Sequence, residues 1–296
     1  MKQYPVHFTT IQNGETLAWR ACGSGDKTVV LLHGNMSSSV HWQTTMEALE
    51  PEFSVFAPDL RGFGDSSYLN HFDSLLELAE DVMALLESQN IGKFTVVGWS
   101  TGGGVALELA AMLPDKAEKA ILLDSVGLKG YPLYKKDSQG RPILTEPILT
   151  KEEVAADPIQ VLPVLTAYAT GNREMMRALW NAAIYNLNQP PAEDYELYLD
   201  AIMKQRNLVD VDYALMTFNM THEPTAWASG NGRMDQVRCP VVVMQGELDL
   251  VGPMAWAEET AAFFGDKARL ITFANAGHSV ITDDFPAFYA ALRMEL

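Results

Sequence analysis

The sequence predicts an α/β fold: a doubly wound, mostly parallel sheet of eight strands, broken late in the chain by a long helical insertion. Three observations predict it. Short continuous apolar runs alternate with helix-spaced segments through the first third of the chain. The same alternation resumes near the C-terminus. Between them lies a stretch of about a hundred residues with no buried-strand run. Strands buried on both faces read as unbroken apolar runs, and a strand–helix–strand rhythm is the signature of parallel crossover connections.

In chain order, residues 6–11 and 15–21 flank Asn13-Gly14, a strong hairpin signal. Thr28 to Leu32 (TVVLL) is a buried-strand run ending at His33-Gly34, and Phe53 to Ala57 is a second, ending at Pro58-Asp59. Over 73–88, Leu75, Leu76, Ala79, Val82, Met83 and Leu86 recur at helical spacing, with acids opposite. Phe94 to Val97 is strand-like, Gly103 to Met112 helical, and Ala120 to Leu123 a further buried strand ending at Asp124. Residues 129–232 are punctuated by proline, helix-like, and scattered with Met, Tyr and Trp; they predict an inserted helical cap. The rhythm returns with a strand at Val241 to Met244, a helix over 254–264, a strand over 269–273 and a last helix near 284–293. The expected organisation is therefore one core built from 1–128 and 233–296, with 129–232 as its cap.

Composition narrows the function. The chain carries 21 Lys and Arg against 38 Asp and Glu, a net charge of −17. That surface repels phosphate backbones and anionic headgroups, so neither nucleic acid nor a membrane is an expected partner. Cys22 and Cys239 lie far apart and imply reduced thiols rather than a disulfide framework. The N-terminal MKQYPVHFTTIQNG lacks an apolar core, and no run of membrane-spanning length occurs, so the expected location is the cytoplasm.

The chemistry centres on Gly98-Trp99-Ser100-Thr101-Gly102. A G-x-S-x-G pattern alone is weak; here it directly follows a buried strand and directly precedes a helix. A serine on that sharp turn stands clear of the sheet, and glycines two residues to either side relieve the crowding that the turn creates. The helix N-terminus then aims free N–H groups at developing negative charge. A serine hydroxyl needs a base, and the base needs an orienting acid. His278, in Asn275-Ala276-Gly277-His278-Ser279, follows the last strand and is the expected base. His7 and His71 read as surface residues, His41 as a helix start and His222 as a cap residue. For the acid, Asp249 in Gly246-Glu247-Leu248-Asp249 is favoured, with Asp124 as the alternative and Glu247 as a solvated turn residue. Two backbone amides should hold the oxyanion: Thr101, and one from His33-Gly34-Asn35-Met36, with Asn35 first and Met36 second. His33 is expected to brace that loop. Met36, Trp99, Leu250 and Val251 lie beside these residues and are expected to line the substrate pocket.

Together, His33-Gly34, the segment Asp59-Leu60-Arg61-Gly62-Phe63-Gly64-Asp65-Ser66, the elbow at Ser100, Gly246 to Asp249 and Gly277-His278 resemble the α/β-hydrolase superfamily. The resemblance covers the chain outside 129–232. It implies that segment 59–66 is structural, with Arg61 and Ser66 bracing it. Serine at the elbow separates the chain from haloalkane dehalogenases and epoxide hydrolases, which carry Asp there, and from dienelactone hydrolases, which carry Cys. The run Ser100 to Gly104 is similar to the cofactor-free haloperoxidase and perhydrolase group. Trp99 and Asp124 to Leu128 are similar to bacterial intracellular polyhydroxybutyrate depolymerases and related carboxylesterases. The expected function is hydrolysis of small to medium, mainly apolar carboxylic esters, with an ester and water as partners, a homodimer left open, and no metal or cofactor. A lactonase, a hydroxyalkanoate-oligomer hydrolase, a carbon–carbon bond hydrolase or a perhydrolase with the same triad stays open, as does a non-catalytic small-molecule receptor.

Overall fold

A computed structural model describes residues 1–296. The chain opens with the hairpin β1 (His7–Thr10) and β2 (Thr16–Cys22), which turns at Gly14 with φ 88°. Then follow β3 (Thr28–Leu32), helix α1 (Gln43–Leu49), β4 (Ser54–Pro58), α2 (Leu75–Ser88), β5 (Phe94–Trp99), α3 (Thr101–Met112) and β6 (Ala117–Leu123). After the insertion come β9 (Val241–Gly246), α9 (Met254–Phe264), β10 (Ala268–Phe273), α10 (Val280–Asp283) and α11 (Phe285–Glu295). The eight core strands form one sheet in the order β1-β2-β4-β3-β5-β6-β9-β10, parallel from β4 onward and antiparallel at the β1–β2 and β2–β4 pairings. The predicted eight-stranded sheet is thus the observed one.

The continuous apolar runs have a simple cause. Successive strand residues point to opposite faces, and helices cover both. Val30, Leu32 and Val96 pack with Leu78, Val82, Val105 and Leu109 of α2 and α3 on one face. Val29, Leu31 and Val97 pack with Met46, Leu49, Phe288 and Leu292 of α1 and α11 on the other. Truncating a fully buried leucine such as Leu31 to alanine costs about 2–5 kcal/mol at sites of this kind. Helix α2 is further set by a capping box: the Glu77 amide donates to Ser74 Oγ, and the Ser74 amide donates to Glu77 Oε2.

Between β6 and β9 the chain forms β7 (Tyr134–Lys136), β8 (Pro142–Pro147), α4 (Lys151–Ala155), α5 (Leu162–Thr170), α6 (Arg173–Ala183), α7 (Ala192–Ile202) and α8 (Leu208–Thr217). The β7–β8 hairpin was not foreseen from the sequence. Its strands are largely exposed, so they lack the apolar pattern that marks a strand in a buried sheet. The insertion joins both cores. Val211, Ala214 and Phe218 pack into the α2–α3 side, whereas Trp180, Tyr195 and Tyr198 pack with Trp42 and Trp99 on the other. Cys22 and Cys239 are both free thiols. No helix is long and apolar enough to cross a membrane.

Candidate active site

Ser100 sits between β5 and α3 at φ 55° and ψ −121°, a conformation that costs a non-glycine residue about 1–3 kcal/mol and persists only where the surroundings impose it. Here they do. The Ser100 amide donates to the Leu123 carbonyl of β6 at 2.9 Å, and the turn is so tight that no side chain fits at its flanks. A Cβ on Gly98 would lie 2.1 Å from the Gly102 carbonyl oxygen, and one on Gly102 would lie 2.3 Å from that of Leu32.

The Ser100 hydroxyl donates to His278 Nε2 at 3.0 Å, and His278 Nδ1 donates to Asp249 Oδ2 at 2.8 Å. His278 comes from the turn after β10 and Asp249 from the turn after β9, so the sheet order brings together groups 178 and 29 residues apart. The Asp249 carboxylate is itself pinned. Its Oδ1 accepts from the amides of Val251 and Gly252 at 2.7 and 3.0 Å, and its Oδ2 also accepts from Gln245 Nε2 at 2.9 Å. Burial pushes this carboxyl up, but the His278 charge, its hydrogen bond and the two amides outweigh burial and hold it below the usual range. Burial likewise opposes the charged form of His278, yet the adjacent Asp249 raises its proton affinity.

Asp124, the alternative acid, does not reach His278. It lies buried beneath the site at φ 43°, accepting from the Gly246 amide at 2.8 Å and, weakly, from that of Val280 at 3.5 Å. Burial, then the charge of Asp249, pushes its carboxyl up to about 8. Glu247 faces solvent and accepts from Thr272 Oγ1.

The loop after β3 closes the other side. A Cβ on Gly34 would stand 2.9 Å from that of Ser100. His33 is fully buried: the Leu60 amide donates to its Nε2 at 3.0 Å, and its Nδ1 donates to the Gly34 carbonyl at 2.8 Å. It therefore ties the loop to segment 59–66. Within that segment Asp59 accepts from the Ser39 amide, Ser66 Oγ donates to the Asp59 carbonyl, and Arg61 clasps Asp81 through two bonds of 2.7 Å. The amides of Asn35 and Thr101 have no partner in the chain. The Met36 amide, the second choice from sequence, donates to Asn35 Oδ1 at 2.9 Å and is taken. Asn35 is in turn held by two residues of the insertion: its Nδ2 donates to Asp212, and its Oδ1 accepts from Gln205 Nε2.

Above Ser100 and His278 opens a mainly apolar cavity of about 330 Å³. Met36, Trp99, Leu250 and Val251 line it, with Leu250 mostly exposed. Trp99 also donates from Nε1 to the His278 carbonyl at 2.8 Å, which fixes the backbone that carries the imidazole. A cap over 129–232 is expected from the sequence to roof the pocket, but none of its residues could be singled out there; Leu133, Val164, Trp180 and Asp212 are among those in the wall. His222 lies elsewhere, exposed and paired with Asp235. No group of three or more His, Cys, Asp or Glu side chains is placed to hold a metal ion.

Comparison with known proteins agrees with this architecture. The family model described as alpha/beta hydrolase fold matches residues 27–285. A pimeloyl-[acyl-carrier protein] methyl ester esterase from Nitrosomonas europaea is 27% identical over 280 residues, spanning 93% of this chain and 92% of the relative. Several further relatives match over less than half of their own length. Among solved structures, an esterase from Exiguobacterium antarcticum superposes with a TM-score of 0.73 at 19% identity, covering 97% of this chain and 98% of its own. An enol-lactonase from Burkholderia xenovorans LB400 does so with a TM-score of 0.73 at 18% identity, covering 97% and 98%. These two likenesses concern the fold. With a matching family model over nearly its whole length and the eight-stranded sheet in place, the chain belongs to the α/β-hydrolase fold family.

Proposed function

We propose that this protein is a serine hydrolase that cleaves small to medium, mainly apolar carboxylic esters through an acyl-enzyme on Ser100. One observation carries the reading: an unbroken hydrogen-bonded chain from Ser100 through His278 to Asp249 ends at the floor of an apolar cavity, beside two unpartnered amides. The full-length similarity to a methyl ester esterase supports it.

In this mechanism Ser100 Oγ attacks the ester carbonyl as His278 Nε2 takes its proton. Asp249, ionised at neutral pH, holds the Nδ1–H tautomer and stabilises the imidazolium. The amides of Asn35 and Thr101 bind the oxyanion of the tetrahedral intermediate, where two well-aimed donors contribute several kcal/mol in a site shielded from water. His278 then protonates the departing alkoxide. A water molecule, deprotonated by the same imidazole, releases the acid from Ser100. Residues 129–232 act as the cap, supplying the far wall of the cavity and so the selection of substrate. The partners are the ester and water.

The test is direct. The purified protein should hydrolyse short p-nitrophenyl esters and react with a fluorophosphonate probe, and Ser100→Ala should abolish both. A folded wild-type protein that neither turns over esters nor takes the label would sink the proposal.

A further inference from the structure

The cavity wall carries one feature that ester hydrolysis by the triad does not use. Helix α8 turns Leu208, Asp212 and Leu215 toward the cavity, at the spacing of one helical face. Two of these are leucines, as an apolar pocket requires; the third is a carboxyl group. Its Oδ1 accepts from Asn35 Nδ2 at 2.9 Å. Its Oδ2 has no partner in the chain and is not sealed off from the cavity. No Lys or Arg pairs with it, and burial pushes the group up to about 7, with only the Asn35 bond acting the other way. Tyr131 and Gln160, hydrogen-bonded to each other at 3.2 Å, line the same cavity, and Tyr131 lies close enough to feel the charge of Asp212.

A carboxyl oxygen that faces an apolar pocket and meets no donor of the chain is an acceptor open to a donor on a ligand. The carboxyl is bonded to the side chain of Asn35, which lines the same cavity as Ser100 and directly follows Gly34, where a Cβ would stand 2.9 Å from that of Ser100. A donor that reaches it must sit a short way along the substrate from the scissile carbonyl.

We infer that Asp212 is a specificity-determining residue that accepts a hydrogen bond from a hydroxyl on the substrate, so that the preferred esters are hydroxylated ones. This rests on the esterase reading above. The hydroxyl donates to Oδ2, while Oδ1 keeps its bond to Asn35. The group therefore links recognition of substrate to the loop that carries an oxyanion donor.

The experiment compares matched pairs. Methyl hexanoate is set against methyl 3-hydroxy- and 5-hydroxyhexanoate, and propyl hexanoate against 2-hydroxyethyl hexanoate, for the wild type, Asp212→Ala and Asp212→Asn. If Asp212 only positions Asn35, substitution lowers kcat/KM on both members of a pair alike. If it recognises a hydroxyl, the ratio within a pair changes. The wild type is expected to favour at least one hydroxylated ester by roughly tenfold or more, the worth of one hydrogen bond to a charged group. That advantage should shrink to within about twofold in Asp212→Ala and fall severalfold in Asp212→Asn, whose NH2 can make only a neutral bond to the hydroxyl oxygen. The isosteric Asp212→Asn keeps an acceptor for Asn35 and serves if the alanine variant does not fold. Equal rates on every pair in the wild type, or a preference that survives both substitutions, overturns the inference and leaves the esterase reading standing. Turnover of none of the esters, hydroxylated or not, overturns both.

Discussion

Two buried aspartates lie beneath His278, and the structure separates what each contributes. In Asp249→Asn the new side chain has one less costly orientation, with its NH2 at the Oδ2 position opposing only the Gln245 Nε2 donor. Its oxygen must face the amides of Val251 and Gly252, because an NH2 there would oppose two donors. The NH2 then faces His278 Nδ1, where a carboxylate oxygen now stands at 2.8 Å. An NH2 can only donate to that nitrogen, which forces the proton onto Nε2. Nε2 then cannot accept from Ser100 at 3.0 Å. The wrong tautomer in a triad costs about 10⁴ in kcat, or about 5.4 kcal/mol of barrier. Asp124→Asn changes little by contrast. The carboxyl is pushed up to about 8 and is largely neutral at pH 7, and an asparagine oxygen can still accept from the Gly246 amide at 2.8 Å. A loss below about tenfold is expected. The assay is kcat and kcat/KM on a p-nitrophenyl ester at about pH 7.5, with circular dichroism to show that both variants fold. If Asp124→Asn loses far more rate than Asp249→Asn, the assignment of the orienting acid is wrong.

Other predictions follow from the same geometry. In the proposed mechanism His278 acts as a base only when neutral, and Asp249 raises its proton affinity, so the acid limb of kcat/KM should lie above the ordinary histidine value of about 6.5. The residual activity of Asp249→Asn should show that limb shifted to lower pH. Asp124 is favoured in its protonated form by the fold, so its contribution to stability is present at acid pH and is lost as pH rises through about 8. Asp124→Asn should therefore lose less Tm than the wild type between about pH 5 and pH 9, as thermal melts would show. Gly98→Ala drives a Cβ to 2.1 Å from the Gly102 carbonyl oxygen and should cost about 1–3 kcal/mol or prevent folding, with weaker fluorophosphonate labelling of any folded fraction; unchanged Tm and labelling would refute the close approach. Arg61→Leu strands the buried Asp81 and should destabilise by about 3–5 kcal/mol in urea unfolding, with part recovered in a variant that also carries Asp81→Leu.

Much of this molecule is determined by the sequence alone. A strand such as Val29 to Leu32, covered on both faces, must be apolar at every position, so its burial is written in consecutive residues. The elbow is equally local, because Gly98, Ser100 and Gly102 answer to crowding within a single turn. The ordered arrival of Ser100, Asp249 and His278, each just past a strand, follows from a parallel sheet presenting the carboxyl ends of its strands along one edge. Only the tertiary structure decided which carboxylate meets the imidazole. Asp124 and Asp249 both leave that edge, but Asp124 turns down onto the Gly246 amide while Asp249 turns toward His278. It also decided that the Met36 amide is taken and that Asp212, rather than another of the acids in 129–232, faces the cavity. Periodicity reports which face of an element is buried, because neighbours in sequence share that constraint. The direction of a side chain in a turn, or of one carboxyl on helix α8, is set by residues far away in the chain, and only folding brings them within hydrogen-bond reach.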